Sequence, residues 1–404
     1  MSEPFLSDEL LARIRSRATA YDRENAFFAE DLAELKEAGY LTAMVPSSFG
    51  GGGRTLREMT REQARLAGAA PATALAVNMH QVWMGVAQVV RRGGDSSMDF
   101  VLEEAVAGEV FGFGISEPGN DLVLFGSDSE ARPDGSGGYT FHGTKIFTSL
   151  SPAWTRLGTF GTDSTGAEGP RSVYGFITRE GGGFEIKDDW DTLGMRASQS
   201  CTTVLDGAPA SADRIVRRIP PGPTADPFVF GIFACFELLL SSVYAGVAQR
   251  ALDLAVEAVQ RRTSRKHDGR SLALDPDVRW RIADAAIALD GVWPQITHAA
   301  QDVDDGVDRA PLWMPQLSAV KMRSTEVALR VVEQAVRVAG GSAYFNRSEL
   351  SRLYRDVLAG VFHPSSVDST HSAWASALLG DPDQQPADPH TPTSNRPPHT
   401  PRVE

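Results

Sequence analysis

Arg337 to His371 reads RVAGGSAYFNRSELSRLYRDVLAGVFHPSSVDSTH, and this stretch decides the architecture. Val327, Val331, Ala335 and Val338 fall on one face of a helix that runs into Gly340-Gly341. Leu350, Leu353, Tyr354 and Val357 repeat the helical spacing in a second segment, which carries the adjacent ions Arg355 and Asp356 and ends near Gly360. His363 follows on a Pro-Ser-Ser turn that cannot continue a helix. A buried helix that delivers a histidine at its mouth has the form of a site wall.

Upstream of this stretch, helical periodicity extends back to Phe228. Ala248, Ala251, Leu252, Ala255 and Val259 share a face that ends in Arg261-Arg262, and further helices are expected at Val278–His298 and Pro315–Val338. Four long helices with short links predict a C-terminal four-helix bundle over residues 223–380. Before it, short β-rich runs such as Tyr139–Phe141, Val173–Thr178 and Phe184–Ile186 alternate with Gly/Asp/Ser/Pro clusters. They predict an antiparallel, barrel-like β domain over 111–222, closed by Ile219-Pro220-Pro221-Gly222. Residues 1–110 read as helical. Gly39 stops one helix, and Ala72–Val90, apolar almost all round, is expected to be buried. The Pro-rich residues 381–404 carry no hydrophobic face and read as a disordered tail. The expected class is α+β.

At 404 residues the chain is too long for one core, and a net charge of −13 argues against a nucleic-acid partner. Cys201 and Cys235 sit among apolar or Thr neighbours and read as buried free thiols, with no metal site expected. The start, MSEPFLSDEL, lacks the basic and apolar regions of an export signal, and no uninterrupted apolar run reaches membrane-spanning length. A cytoplasmic location with no membrane partner is the expectation.

Several motifs in order resemble the acyl-CoA dehydrogenase superfamily: GFGISEPGND at Gly112–Asp121, FHGTKIFTS at Phe141–Ser149, LGMRASQSCTTV at Leu193–Val204, GVAQRALDLAVEAVQRR at Gly246–Arg262, then Gly340-Gly341 and Arg355-Asp356. The resemblance covers nearly the whole chain except the tail. It implies an FAD-binding homotetramer, with the cofactor between the β domain and the bundle and touching a neighbouring subunit. Ser116 and Ser149 would offer hydroxyls and amides to the flavin ring, and Phe147 would pack on it. Gly340 and Gly341 would allow close backbone approach, and Arg262 and Arg337 would meet the pyrophosphate.

The leading expectation is FAD-dependent dehydrogenation of an acyl-CoA thioester, with electron-transfer flavoprotein as a candidate partner. That chemistry needs a base for the α-proton. Where the family's Tyr-Glu-Gly-Thr loop carries its glutamate this chain has Pro364, so Glu237, on the first bundle helix, or His363 is the expected base. The family's second acid position falls on Phe236, one residue from Glu237. His363 also resembles the histidine of the superfamily's flavin-dependent monooxygenase branch, and His80 is a candidate for the same pocket. That branch is the alternative, an oxygenase acting on a small organic substrate and served by a flavin reductase. A flavin-binding paralogue without turnover is the third reading.

Overall fold

The computed structural model describes residues 4–265 and 268–380, so the tail expected at 381–404 lies outside the described residues. Five helices come first: α1 (Asp8–Glu24), α2 (Ala29–Glu37), α3 (Leu56–Ala69), α4 (Pro71–Arg92) and α5 (Asp99–Val106). Local chemistry sets their ends. Ser7 caps α1, Thr55 and Glu58 close a capping box on α3, and Pro71 opens α4 where a missing N–H costs nothing.

Eight strands form the middle sheet: β1 (Phe111–Gly114), β2 (Glu130–Pro133), β3 (Tyr139–Lys145), β4 (Arg156–Asp163), β5 (Arg171–Thr178), β6 (Phe184–Ile186), β7 (Thr203–Ala210) and β8 (Ile215–Ile219). Their order is β6-β7-β3-β2-β4-β5-β8, with β1 also on β4. The sheet is mixed and not wholly antiparallel as expected, because β1 and β2 both pair parallel to β4. The long connections at 115–129 and 146–155 give the chain enough length to re-enter in the same direction, which a tight hairpin cannot do.

The C-terminal helices are α6 (Pro227–Arg261), α7 (Pro276–Asp290), α8 (Trp293–Asp304), α9 (Trp313–Ala339), α10 (Glu349–Val357), α11 (Ala359–Phe362) and α12 (Val367–Leu379); a short hairpin, β9 (Thr263–Ser264) with β10 (Arg270–Ser271), follows α6. The helix expected over Val278–His298 is two helices. Gly291 ends α7, and the Trp293-Pro294 pair starts α8 because proline is tolerated only in a first turn. Helix α6 is apolar and long enough to cross a membrane by length and composition, yet 83% of its most apolar window is buried within the fold.

Contrary to the expectation from length, the three parts share one continuous hydrophobic core, because α4 and α6 pack against both the sheet and each other. Trp83 on α4 is its centre, packed on Phe113, Phe176 and Phe228 and donating its indole N–H to the Gly112 carbonyl at 2.8 Å. Gly158 on β4 is required there, because a Cβ would lie 2.2 Å from the Trp83 ring. This junction of α4, the sheet and α6 positions the site described next.

Candidate active site

A cavity of about 440 Å³ opens where the sheet meets the bundle and α4. Its walls bring together Ser116, Phe147, Ser149 and His363 of the sequence-predicted residues, with Leu75 and Met79 from α4, Trp190 and Met195 from the loop after β6, and Phe236 from α6. The volume is that of a small-molecule site.

The β-domain wall is a cradle of short polar groups beside aromatic surface. Ser149 Oγ bonds Ser200 Oγ at 2.8 Å, which bonds Ser198 Oγ at 2.8 Å. The amides of Ser116, Phe147 and Thr148 have no acceptor among the described residues, whereas the Ser116 carbonyl accepts from Ile146. Phe147 adopts φ 56°, is 56% exposed, and meets Trp190 edge-on at 6.2 Å. Free amides, hydroxyls and an aromatic pair on one wall match the polar edge and flat face of a flavin ring, so the residues present fit that group.

Glu117 is the one carboxylate lining the cavity among the described residues, and it is fully engaged. Lys145 Nζ donates to its Oε1 and, at 2.8 Å, to the Phe160 carbonyl. Ser127 and Ser129 hydroxyls, the Asp128 and Ser129 amides and the Asn120 side chain also donate to Glu117. Burial opposes its ionisation, but Lys145 and these donors hold the carboxyl down at about 2. This pair braces the loop 115–129. The quoted motifs contain both residues, but nothing in their 28-residue separation marked them as partners.

Glu237 does not reach the cavity, which corrects its expected role as base. It is 1% exposed and accepts from Ser365 Oγ at 2.8 Å on the bundle side of α6, while Phe236 faces the cavity. One residue turns a helical side chain by about 100°, which separates the two environments. Burial raises the Glu237 carboxyl to about 7, against the pull of Lys321.

His80 is likewise corrected. Its Nε2 donates to the Leu41 carbonyl at 2.8 Å and its Nδ1 accepts from the Phe111 amide at 3.0 Å, so no nitrogen is left for chemistry. Burial pushes it down to about 4. His80 ties α4 to the chain on both sides.

His363 does line the cavity. Its Nδ1 lies 2.9 Å from the Tyr244 hydroxyl, and burial, then the charge of Lys321, push the imidazole down to about 3. Lys321 Nζ donates to the carbonyls of Gly360 at 2.8 Å, His363 at 2.6 Å and Ser365 at 3.0 Å, clamping the turn that presents the ring.

Arg355 and Asp356 bond to other parts of the chain than the turn that follows them. Arg355 pairs with Asp22 of α1 and donates to the Leu193 carbonyl at 2.9 Å, and Asp356 accepts from the Met195 amide at 2.6 Å. They lock the loop 190–199 over the cavity. Gly194 allows it: a Cβ would lie 2.2 Å from the Arg355 carbonyl.

Arg262, Arg337, Gly340 and Gly341 do not line the cavity. Arg262 donates to the Ala339 carbonyl at 2.7 Å, a cation closing the C-terminus of α9 beside Gly340 at φ 69°. Arg337 pairs with Glu333 one turn back on an exposed face.

A helical N-terminal part, a mixed sheet and a bundle around such a cavity define a protein of the acyl-CoA dehydrogenase fold. The profile of the acyl-CoA dehydrogenase N-terminal domain matches residues 6–109 and that of its C-terminal domain residues 238–366. L-evernosamine nitrososynthase of Micromonospora sp. is 30% identical over 370 residues, covering 87% of this chain and 84% of that protein. Mitochondrial isovaleryl-CoA dehydrogenase of Arabidopsis thaliana is 27% identical over 354 residues, covering 85% and 82%. The chain belongs to the acyl-CoA dehydrogenase family. Among solved structures, KijD3 in complex with FMN and a dTDP-linked amino-keto sugar superposes with a TM-score of 0.82 at 28% identity over 93% of each chain. Butyryl-CoA dehydrogenase of Megasphaera elsdenii shares the fold with a TM-score of 0.80 at 19% identity, over 94% of this chain and 100% of that one.

Proposed function

We propose that this chain is a monooxygenase that uses reduced flavin, as FMN or FAD, delivered by a separate reductase. The observation that carries the reading is that no free carboxylate lines the cavity among the described residues. Pro364 and Phe236 occupy the wall where a dehydrogenase base is needed, Glu237 points away, and Glu117 is consumed by Lys145. Among the described residues, no free carboxylate lines the cavity to take an α-proton from a thioester.

The flavin supplies the electrons that activate dioxygen, one oxygen atom entering the substrate and the other leaving as water. Ser116, Ser149 and the free amides at 116, 147 and 148 would hold the ring's polar edge, with Phe147 and Trp190 against its face. Leu75, Met79, Phe113 and Phe236 would keep bulk water from the reacting atoms. Arg262, Gly340 and Gly341 would serve the far end of a dinucleotide with a second copy of the chain. The likeness to L-evernosamine nitrososynthase and to KijD3 supports a small organic substrate bearing an oxidisable amine.

Acyl-CoA dehydrogenation is the second reading, favoured by the likeness to isovaleryl-CoA dehydrogenase. Anaerobic mixing of the oxidised flavoprotein with a panel of acyl-CoA thioesters separates the two. The flavin absorbance should persist with every thioester, and bleaching by any of them would overturn the oxygenase reading.

A further inference from the structure

We propose that Tyr244 fixes the tautomer of His363, so that the imidazole meets the cavity as a hydrogen-bond donor through Nε2–H and not as a base. The consequence for catalysis rests on the oxygenase reading above; the tautomer itself does not.

Tyr244 is 0% exposed on α6 and 119 residues from His363 in sequence. Its hydroxyl proton must go to an acceptor, and the sole polar atom in bonding reach among the described residues is His363 Nδ1 at 2.9 Å. Gly360 packs against the phenol ring, where a Cβ would lie 2.9 Å from Tyr244 Cζ. The reverse arrangement, Nδ1–H donating to the phenol oxygen, would strand the hydroxyl proton without an acceptor in apolar surroundings. Nδ1 therefore accepts.

A neutral imidazole that accepts at Nδ1 carries its proton at Nε2. Nε2 has no partner among the described residues and is not among their buried orphan atoms, which leaves it open on the side of the cavity that His363 lines. Beneath the turn, the Lys321 ammonium both holds the ring's backbone and opposes a second proton on the ring. Tyr244 and Lys321 are thus positioning residues, acting through His363. A donor aimed into the cavity suits an oxygen atom that gains negative charge, as dioxygen does on reduction. It cannot remove an α-proton. The expectation that His363 is the base is revised by this arrangement.

The test is the imidazole ¹⁵N spectrum of histidine-labelled, flavin-loaded protein between about pH 6 and 8, where an ordinary histidine titrates. His363→Asn identifies the signal. The expected result is a proton on Nε2 and none on Nδ1 across that range, with Tyr244→Phe turning the signal into a mixture of tautomers. A proton on Nδ1 in the wild type, or an unchanged tautomer in Tyr244→Phe, would overturn the proposal. The wild-type spectrum decides even if Tyr244→Phe fails to fold. An Nε2–H tautomer alongside flavin bleaching by an acyl thioester would reject the oxygenase reading and leave the tautomer standing.

Discussion

Phe236 and Glu237 are adjacent on α6 and face different worlds: the phenyl ring closes the cavity, while the carboxylate accepts from Ser365 at 2.8 Å behind it. Glu237→Gln keeps the Ser365 bond and removes the charge opposite Lys321. Turnover should stay within about threefold of wild type, whereas loss of a true general base costs roughly 10²–10⁴-fold. Steady-state rates of the two proteins check this directly.

The Glu117–Lys145 pair makes the opposite prediction. Lys145→Met strands a buried carboxylate, which should destabilise the fold by about 3–5 kcal/mol. Adding Glu117→Gln should recover part of that loss, because the orphan charge disappears. Denaturant unfolding of the single and double variants gives both numbers.

His80 predicts an acid sensitivity. Its folded value of about 4 lies below the ordinary 6.5, so the unfolded chain takes up a proton first as pH falls. Its contribution is fully present above pH 6.5 and is lost as pH drops toward 4. Linkage sets the loss at about 3 kcal/mol for a fully buried group. His80→Gln should be less stable at pH 7 and flatter across that window, which unfolding midpoints at stepped pH would reveal.

Gly194→Ala tests the lock over the cavity. The added methyl meets the Arg355 carbonyl, a backbone atom that cannot swing aside, so the loop must lift. Flavin affinity should fall by about tenfold or more while the fold persists. Flavin fluorescence titration measures it.

The sequence made the fold legible because helical and strand periodicities are local, and because ordered motifs span the chain. The family resemblance pointed to Ser116, Phe147 and Ser149, and the Pro-Ser-Ser turn to His363, and all four line the cavity. Helix phase hid the rest: nothing in ACFELLLSSVYAG says which of Phe236 and Glu237 faces the cavity. His80 looked chemical because its partners, the Leu41 carbonyl and Phe111 amide, are backbone groups 39 and 31 residues away. Tyr244 went unremarked for the same reason, since its meaning depends on a contact with His363 that only the folded bundle creates.

The central claim is that reduced flavin in this cavity meets oxygen productively. Stopped-flow mixing of the anaerobically reduced flavoprotein with oxygenated buffer tests it most directly. An absorbing species distinct from reduced and oxidised flavin is expected, outliving the reoxidation of free flavin and shortened about tenfold or more by His363→Asn. A single-phase return to oxidised flavin at the rate of the free cofactor would contradict it.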